Sequence, residues 1–323
     1  MKMQSLTAAC VLGLAGLAMS PVAAQEYPSK SIRFVVPYNP GGSYDTIARL
    51  VGQKLTEKWN QQVVIENRPG AGSLIGTELA AKAAPDGYTM VMYGNNQAIL
   101  PSVHTKATIN VQKDFDPVSM VAITPALIVV HPGLPAKTVA ELVKLAKDKP
   151  GQLNFGSGGN GSATHLGMEM FKHATGTNIV HVPYKAGVPA TMDLIAGQTQ
   201  VGLLDIVSAR QFVEGGKLRA LSTTTNERSP FFPDLPTVSE AGVQNFEYIE
   251  WYGIAVPAGV PRDIIAKLNK GISEVLGDPA VKERLVGMGA TPTTSSPDEF
   301  AKLLDNEVKK NAEAVKRAGV KID

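Results

Sequence analysis

The chain has 323 residues, of which 44% are hydrophobic and 19% charged, and its formal net charge is +2. That share of apolar residues supports a sizeable core and excludes a disordered chain, and no low-complexity segment interrupts it. No basic run interleaved with aromatics stands out, so nucleic acid is excluded as an expected partner.

The N-terminus reads as a targeting segment. Lys2 supplies a short positive region, residues 8–19 an apolar one, and Val22-Ala23-Ala24 a small-residue cleavage site. The apolar run is too short to span a bilayer, which argues against a membrane anchor. A signal peptide over residues 1–24 is therefore expected, with the mature chain starting at Gln25. Cys10, the single cysteine, leaves with it, and the apolar segment follows Cys10 where a lipoprotein would need it to precede. A mature chain without thiols or disulfides fits a bacterial cell envelope.

At about 150 residues per domain the length has room for two domains. Phe34-Val35-Val36 reads as a buried strand, Pro37-Tyr38-Asn39-Pro40-Gly41-Gly42 as a tight loop, and residues 46–59 as a helix with Ile47, Leu50, Val51 and Leu55 on one face. A strand, glycine loop and helix in that order leave backbone N–H groups free at the positive end of the helix dipole, where anions bind. A second strand follows at 62–66 and a second glycine loop at 67–72, opening a helix over 74–84. The next strand, 88–93, ends in Gly94-Asn95-Asn96, polar residues at the ligand edge of an open sheet. The character shifts near 123–126, and a strand starts at 127. A helix over 139–147 leads to Leu153-Asn154-Phe155 and the loop Gly156-Ser157-Gly158-Gly159-Asn160-Gly161-Ser162, with a helix from Ala163. Strands at 179–184, 201–205 and 218–223 follow, then a strand over 248–256 and amphipathic helices at 262–276, 279–288 and 297–318. Such alternation predicts an α/β fold of two domains, each a mostly parallel sheet flanked by helices, with crossovers near 126 and 250.

The chemistry points to binding. No G-x-S-x-G elbow is present, and no histidine stands in a motif that would serve a nucleophile, although a secreted hydrolase stays as an alternative. The loop Gly156 to Ser162 lacks the Gly-Lys-Ser/Thr of a P-loop, and its G-x-G-x-x-G lacks the acidic residue that reads a ribose, so it signals an anion without a nucleotide. His165, Glu169 and His173 stand at i, i+4 and i+8 of one helix, either as metal ligands or as a polar face. Tyr38, Tyr44, Tyr93 and Tyr184 lie in or beside candidate ligand loops, as pocket walls or as interface tyrosines. Asp45 is expected to cap the helix behind it. Asp205 ends a strand, either accepting from loop N–H groups or meeting a hydroxyl or ammonium of a ligand.

Several motifs then occur in a recognisable order. They are Pro37-x-x-Pro40-Gly41-Gly42-x-x-Asp45, Glu66-Asn67-Arg68-Pro69-Gly70-Ala71-Gly72, Ala84-Pro85-Asp86-Gly87-Tyr88-Thr89 and Lys113-Asp114-Phe115-x-Pro117-Val118. Further on come Phe155-Gly156-Ser157-x-Gly159-x-Gly161-Ser162-x-x-His165-Leu166, His181-Val182-Pro183-Tyr184-Lys185, Pro233-Asp234-Leu235-Pro236-Thr237-Val238-x-Glu240-Ala241-Gly242 and Trp251-Tyr252-Gly253. Together they resemble the Bug-type solute receptors of tripartite tricarboxylate transporters, over essentially all of the mature chain. The resemblance implies a type II-like periplasmic binding protein, with lobe 1 at 25–126 plus 251–323 and lobe 2 at 127–250. It implies a monomer without cofactor, metal or catalysis, which takes a di- or tricarboxylate, an acidic amino acid or an aromatic acid. That solute would pass to a permease of one large and one small membrane subunit. The ligand-binding residues expected on this basis are Tyr38, Asn39, Pro40, Gly41, Gly42 and Ser43, then Tyr93, Asn95 and Asn96. In lobe 2 they are Gly161, Ser162, Ala163, Thr164, His165, Tyr184, Ala186 and Asp205. The family usually carries Phe and Pro where this chain has Tyr38 and Asn39, a change that adds hydrogen-bonding capacity to the first lobe.

Overall fold

The computed structural model describes residues 27–244 and 246–319, so the expected signal peptide and Cys10 lie outside the described residues. The first half alternates as its periodicity requires: β1 (Ile32–Val36), α1 (Ser43–Trp59), β2 (Val63–Asn67), a 3-10 turn (Ala71–Ser73), α2 (Leu74–Ala81), β3 (Thr89–Gly94) and α3 (Asn95–Val103). β1 pairs in parallel with β2 on one side and β3 on the other. Its residues are nearly all buried, as befits an apolar, β-branched run covered on both faces.

β4 (Phe115–Val130) comes next. Then follow α4 (Val139–Asp148), β5 (Asn154–Ser157), α5 (Ala163–Thr175), β6 (Val180–Pro183), α6 (Gly187–Ile195), β7 (Val201–Asp205), α7 (Ile206–Glu214) and β8 (Arg219–Thr223). The chain closes with β9 (Ile249–Pro257), α8 (Arg262–Gly277), α9 (Pro279–Met288), β10 (Thr291–Pro292) and α10 (Pro297–Ala318). The strands form one path, β2-β1-β3-β9-β4-β7-β5-β6, with β8 and β10 both on β4. Parallel trios sit at either end, and antiparallel β9 and β4 occupy the centre.

β4 differs from the sequence reading, which starts a strand at 127. It is a single strand of 16 residues. Up to Pro125 it pairs with β9, and from Ala126 its partner is β7. The sequence obscures this because Pro117, Ser119, Thr124 and Pro125 break the apolar run. A proline cannot donate to a ladder, and the register with β9 shifts between Pro117 and Ser119, where a bulge absorbs the missing bond. Two helices were also hidden. α3 begins directly after β3 with three polar residues and contains Pro101, and α7 is short and follows its strand without a loop.

Two pairs of cores flank the sheet. One pair gathers β1, β3, β9, α1 and α8 around Phe34, Ile47, Leu55 and Tyr252, with Tyr93, Trp251 and Phe300 on the other face. The second gathers Ile128, Phe155, Leu166, Phe171 and Leu203, with Leu127, Val129 and Ile206 opposite. α10 joins them, since Phe300 and Leu304 belong to the first half's core and Ala314 and Val315 to the second's. Among the described residues no helix is long and apolar enough to cross a membrane.

Gly253 marks a tight strand-to-helix approach, because a Cβ there would run into the Phe300 ring. Gly253→Ala should destabilise the fold by about 1–3 kcal/mol through overpacking. Gly277→Ala, in the last turn of α8 with open space around it, should be neutral or stabilising by up to about 1 kcal/mol. Urea denaturation of the two variants checks both signs.

Candidate functional site

A cavity of about 660 Å³ lies between the two halves of the sheet, inside the range of about 300–1,000 Å³ typical of small-ligand sites. The N-termini of α1, α5, α6 and α7 all reach it. Each helix start exposes backbone N–H groups that need an acceptor. α5 and α7 supply their own, since Ser162 accepts from the His165 N–H and Asp205 from the Ser208 N–H. α1 and α6 do not: their cap positions are Gly42 and Ala186, which have no side chain able to accept. These two starts face one another closely, for a Cβ on Gly42 would lie 3.8 Å from Cγ2 of Val188.

The loop before α1 is shaped by a carboxylate. Gly41 has φ +80°, a left-handed turn that favours glycine, and its N–H donates to Asp45 Oδ2 at 2.9 Å. Asn67 Nδ2 donates to the other oxygen of Asp45 at 2.9 Å, and Arg49 Nε to Oδ2 at 2.9 Å. Contrary to the expectation from the sequence, Asp45 does not cap the helix but ties the loop back onto it from the first turn. Tyr38 stacks flat on Tyr44 with centroids 3.7 Å apart, and its hydroxyl donates to Gln97 at 3.0 Å.

The second glycine loop is largely satisfied from within. Gly158 N–H donates to Thr164 Oγ1 (3.1 Å), Gly159 N–H to Ser157 Oγ (3.1 Å) and Gly161 N–H to His165 Nδ1 (3.2 Å). Ala163 N–H reaches across the cleft to Asn96 Oδ1 at 2.7 Å. Ser43 Oγ makes a second bridge, donating to Asp205 Oδ2 at 3.1 Å.

Of the residues expected at the site, Tyr38, Asn39, Gly41, Gly42, Ser43 and Asn96 line the cavity from the first half, and Ser162, Ala163, Thr164, Ala186 and Asp205 from the second. The others stand elsewhere. Pro40 is exposed on its loop, and Tyr93 is fully buried with its hydroxyl on Val111 O at 3.2 Å. Asn95 fastens α3 to β9, donating to Ile249 O (2.8 Å) and accepting from Trp251 N–H (3.1 Å). Gly161 and His165 lie behind the lining, and Tyr184 donates to Asp193 at 2.7 Å. Sequence reasoning left out Gly70, Gly72 and Ser73, although their glycine loop was visible. It also left out Thr191 and Met192 on α6, Ser208 and Gln211 on α7, and Glu250. Glu250 carries no local signal, being one acidic residue at the head of an apolar strand.

Behind the loop, His165 and His181 stack with centroids 3.8 Å apart, and His181 Nε2 lies 2.6 Å from Ser157 Oγ. Ser157 is 1% exposed and does not line the cavity. Glu169 lies 3.8 Å from His165 Nε2 but is held by Lys172 at 2.6 Å, and His173 is exposed, so the three do not gather; among the described residues no three such groups cluster. Burial pushes both His165 and His181 down to about 4, and the neighbouring positive charge of Lys172 adds to this.

Fold and cavity together have the form of a solute-binding protein. The family of tripartite tricarboxylate transporter receptors matches residues 47–320. Protein BugT of Bordetella pertussis (strain Tohama I) is 35% identical over 317 residues, 96% of each chain. Two solved structures are similar: R. palustris Rpa4515 with adipate, at 32% identity and a TM-score of 0.89, covers 92% of this chain and 100% of its own. MatC from Rhodopseudomonas palustris with bound malate, at 30% identity and a TM-score of 0.85, covers 90% of this chain and 100% of its own. The chain belongs to the Bug-type receptors of the tripartite tricarboxylate transporter family.

The histidine pair makes stability depend on pH with a definite sign. An unfolded histidine takes its proton near 6.5 and the folded pair near 4, so the folded state binds fewer protons between those values. The stability contributed by this pair should be lost as pH falls from about 6.5 to about 4 and change little above. In urea melts across that window, His181→Phe, which keeps a ring in the stack, should show a shallower slope than wild type.

Proposed function

We propose that this protein is a periplasmic receptor that closes two lobes on a small carboxylate and delivers it to the large and small membrane subunits of a tripartite tricarboxylate permease. It acts as a monomer, exported by a cleaved signal peptide, and captures its solute without catalysis, cofactor or nucleic acid. The observation that carries this reading is the pair of uncapped helix starts, α1 and α6, opposed across one cavity. Two sets of N–H groups without a side-chain cap, each at the positive end of a helix, suit the two oxygens of a carboxylate. The adipate of Rpa4515 and the malate of MatC support the ligand class.

A thermal-shift panel of di- and tricarboxylates, acidic amino acids and aromatic acids tests the reading. An acid at a hundredfold excess over its Kd should add about 2.7 kcal/mol of stability. Lys185 lines the cavity and is exposed. Because backbone groups hold the anion, Lys185→Ala should weaken binding less than tenfold. Absence of a shift with every acid would overturn the assignment.

The lobes are taken as 25–126 plus 251–323 and 127–250, joined inside β4 where its partner changes at Ala126 and at the entry to β9, and these two crossings would absorb a rigid-body rotation. Each helix start alone offers half a site, so the solute favours the closed form by that difference in affinity. Small-angle scattering should show a smaller radius of gyration with a bound acid than without. Trp251, buried against Phe300 in β9, should report the change in emission, so that Trp251→Phe is silent and Trp59→Phe is not.

A further inference from the structure

An anion receptor has no obvious use for a buried carboxylate in its own binding cavity, yet Glu250 lines it and is only 7% exposed. Tyr44 of α1 donates to one of its oxygens and Tyr248 to the other, each at 2.6 Å. The charged groups that act on it are Asp205 at the start of α7 and Glu307 on α10, both acidic; Tyr38 and Tyr252 face it uncharged. Asp205 has structural work, capping α7 and accepting from Ser43, whereas Glu250 caps no helix. Lys310, the cation beside Glu307, pairs with that residue at 3.8 Å.

Burial raises the Glu250 carboxyl to about 7, although its two tyrosine partners favour the charged form and Asp205 opposes it. A carboxylate solute drawn to α1 and α6 places further negative charge in the same low-dielectric space, where like charges repel far more strongly than in water.

We propose that Glu250 takes up a proton from solvent as a carboxylate solute enters, so that solute and proton are captured together. The proposal rests on the receptor reading above. No bond of the solute changes; one proton leaves the buffer and resides on a carboxylate oxygen of Glu250. Protonated, Glu250 still accepts from one tyrosine and gains an O–H of its own to donate. The linkage sign follows: affinity is highest on the acid side of the Glu250 transition and falls as pH rises through it, by up to about tenfold per unit while one full proton is taken up.

Titration calorimetry with malate and with adipate, both fully ionised between pH 6.5 and 8.5, reads this directly. Run at pH 7.5 in buffers of different ionisation enthalpy, wild type should show proton uptake approaching one per solute bound. Glu250→Gln should show almost none, and its affinity should be flat with pH. Tyr248→Phe, which removes a donor to the charged form and leaves the carboxyl in place, should move the affinity transition to higher pH, and it serves if Glu250→Gln does not fold. Binding by wild type without proton uptake, or equal uptake in Glu250→Gln, overturns the proposal alone. If neither these acids nor any other of the panel binds, the receptor reading falls and the proposal with it.

Discussion

Everything at the site follows from one constraint, that a backbone N–H taken out of water must find an acceptor. A helix start presents several such groups, and a protein either supplies a cap or leaves them for a ligand. Here the choice differs by element. Ser162 and Asp205 close α5 and α7, whereas Gly42 and Ala186 leave α1 and α6 open. Asp45 completes the pattern by taking the Gly41 N–H, which fixes the loop without occupying the helix start itself. The cavity is where the two helix starts without a side-chain cap meet.

That constraint also changes which glycine loop matters. Gly156 to Ser162 has the composition of a phosphate cradle, but its amides are consumed by Ser157, Thr164, His165 and Asn96. Its role is to place Ser162, Ala163 and Thr164 at the wall, with the stacked histidines as a rigid backing. The plainer segment Ala186 to Val188 provides the open N–H groups opposite α1. Glycine content marked where a tight turn occurs, and the cap residue decided whether a side chain closes the helix start.

Much of this was legible in the residues. The alternation of apolar runs and glycine loops gave the α/β class, and most strands lie within a residue or two of where their patterns end. The first-half wall of Tyr38, Asn39, Gly41, Gly42 and Ser43 was equally visible, because Pro-Gly-Gly leaves the chain few conformations. What stayed hidden required contacts between distant residues. Asn95 and Asn96 look alike in sequence, yet Asn95 clasps β9 and Asn96 crosses the cleft. Tyr93 shares a polar setting with Tyr38 but points into the core because strand alternation puts it there. Glu250 could not be found at all, since its meaning comes from Tyr44, more than two hundred positions away in the chain.

The placement of β9 has a consequence for how the molecule is made. β3 pairs with β9, so Gly94 lies opposite Tyr252, and the face behind them is closed by Phe300. A ribosome releases the first trio of strands long before either of those residues exists. Until then β3 is an unpaired edge and its apolar side chains lack their cover. The nascent chain therefore cannot finish the first half of its sheet in the order of synthesis, and non-local pairing of this kind is slow to form. Such a polypeptide keeps its first half open until β9 and the Phe300 of α10 have been added.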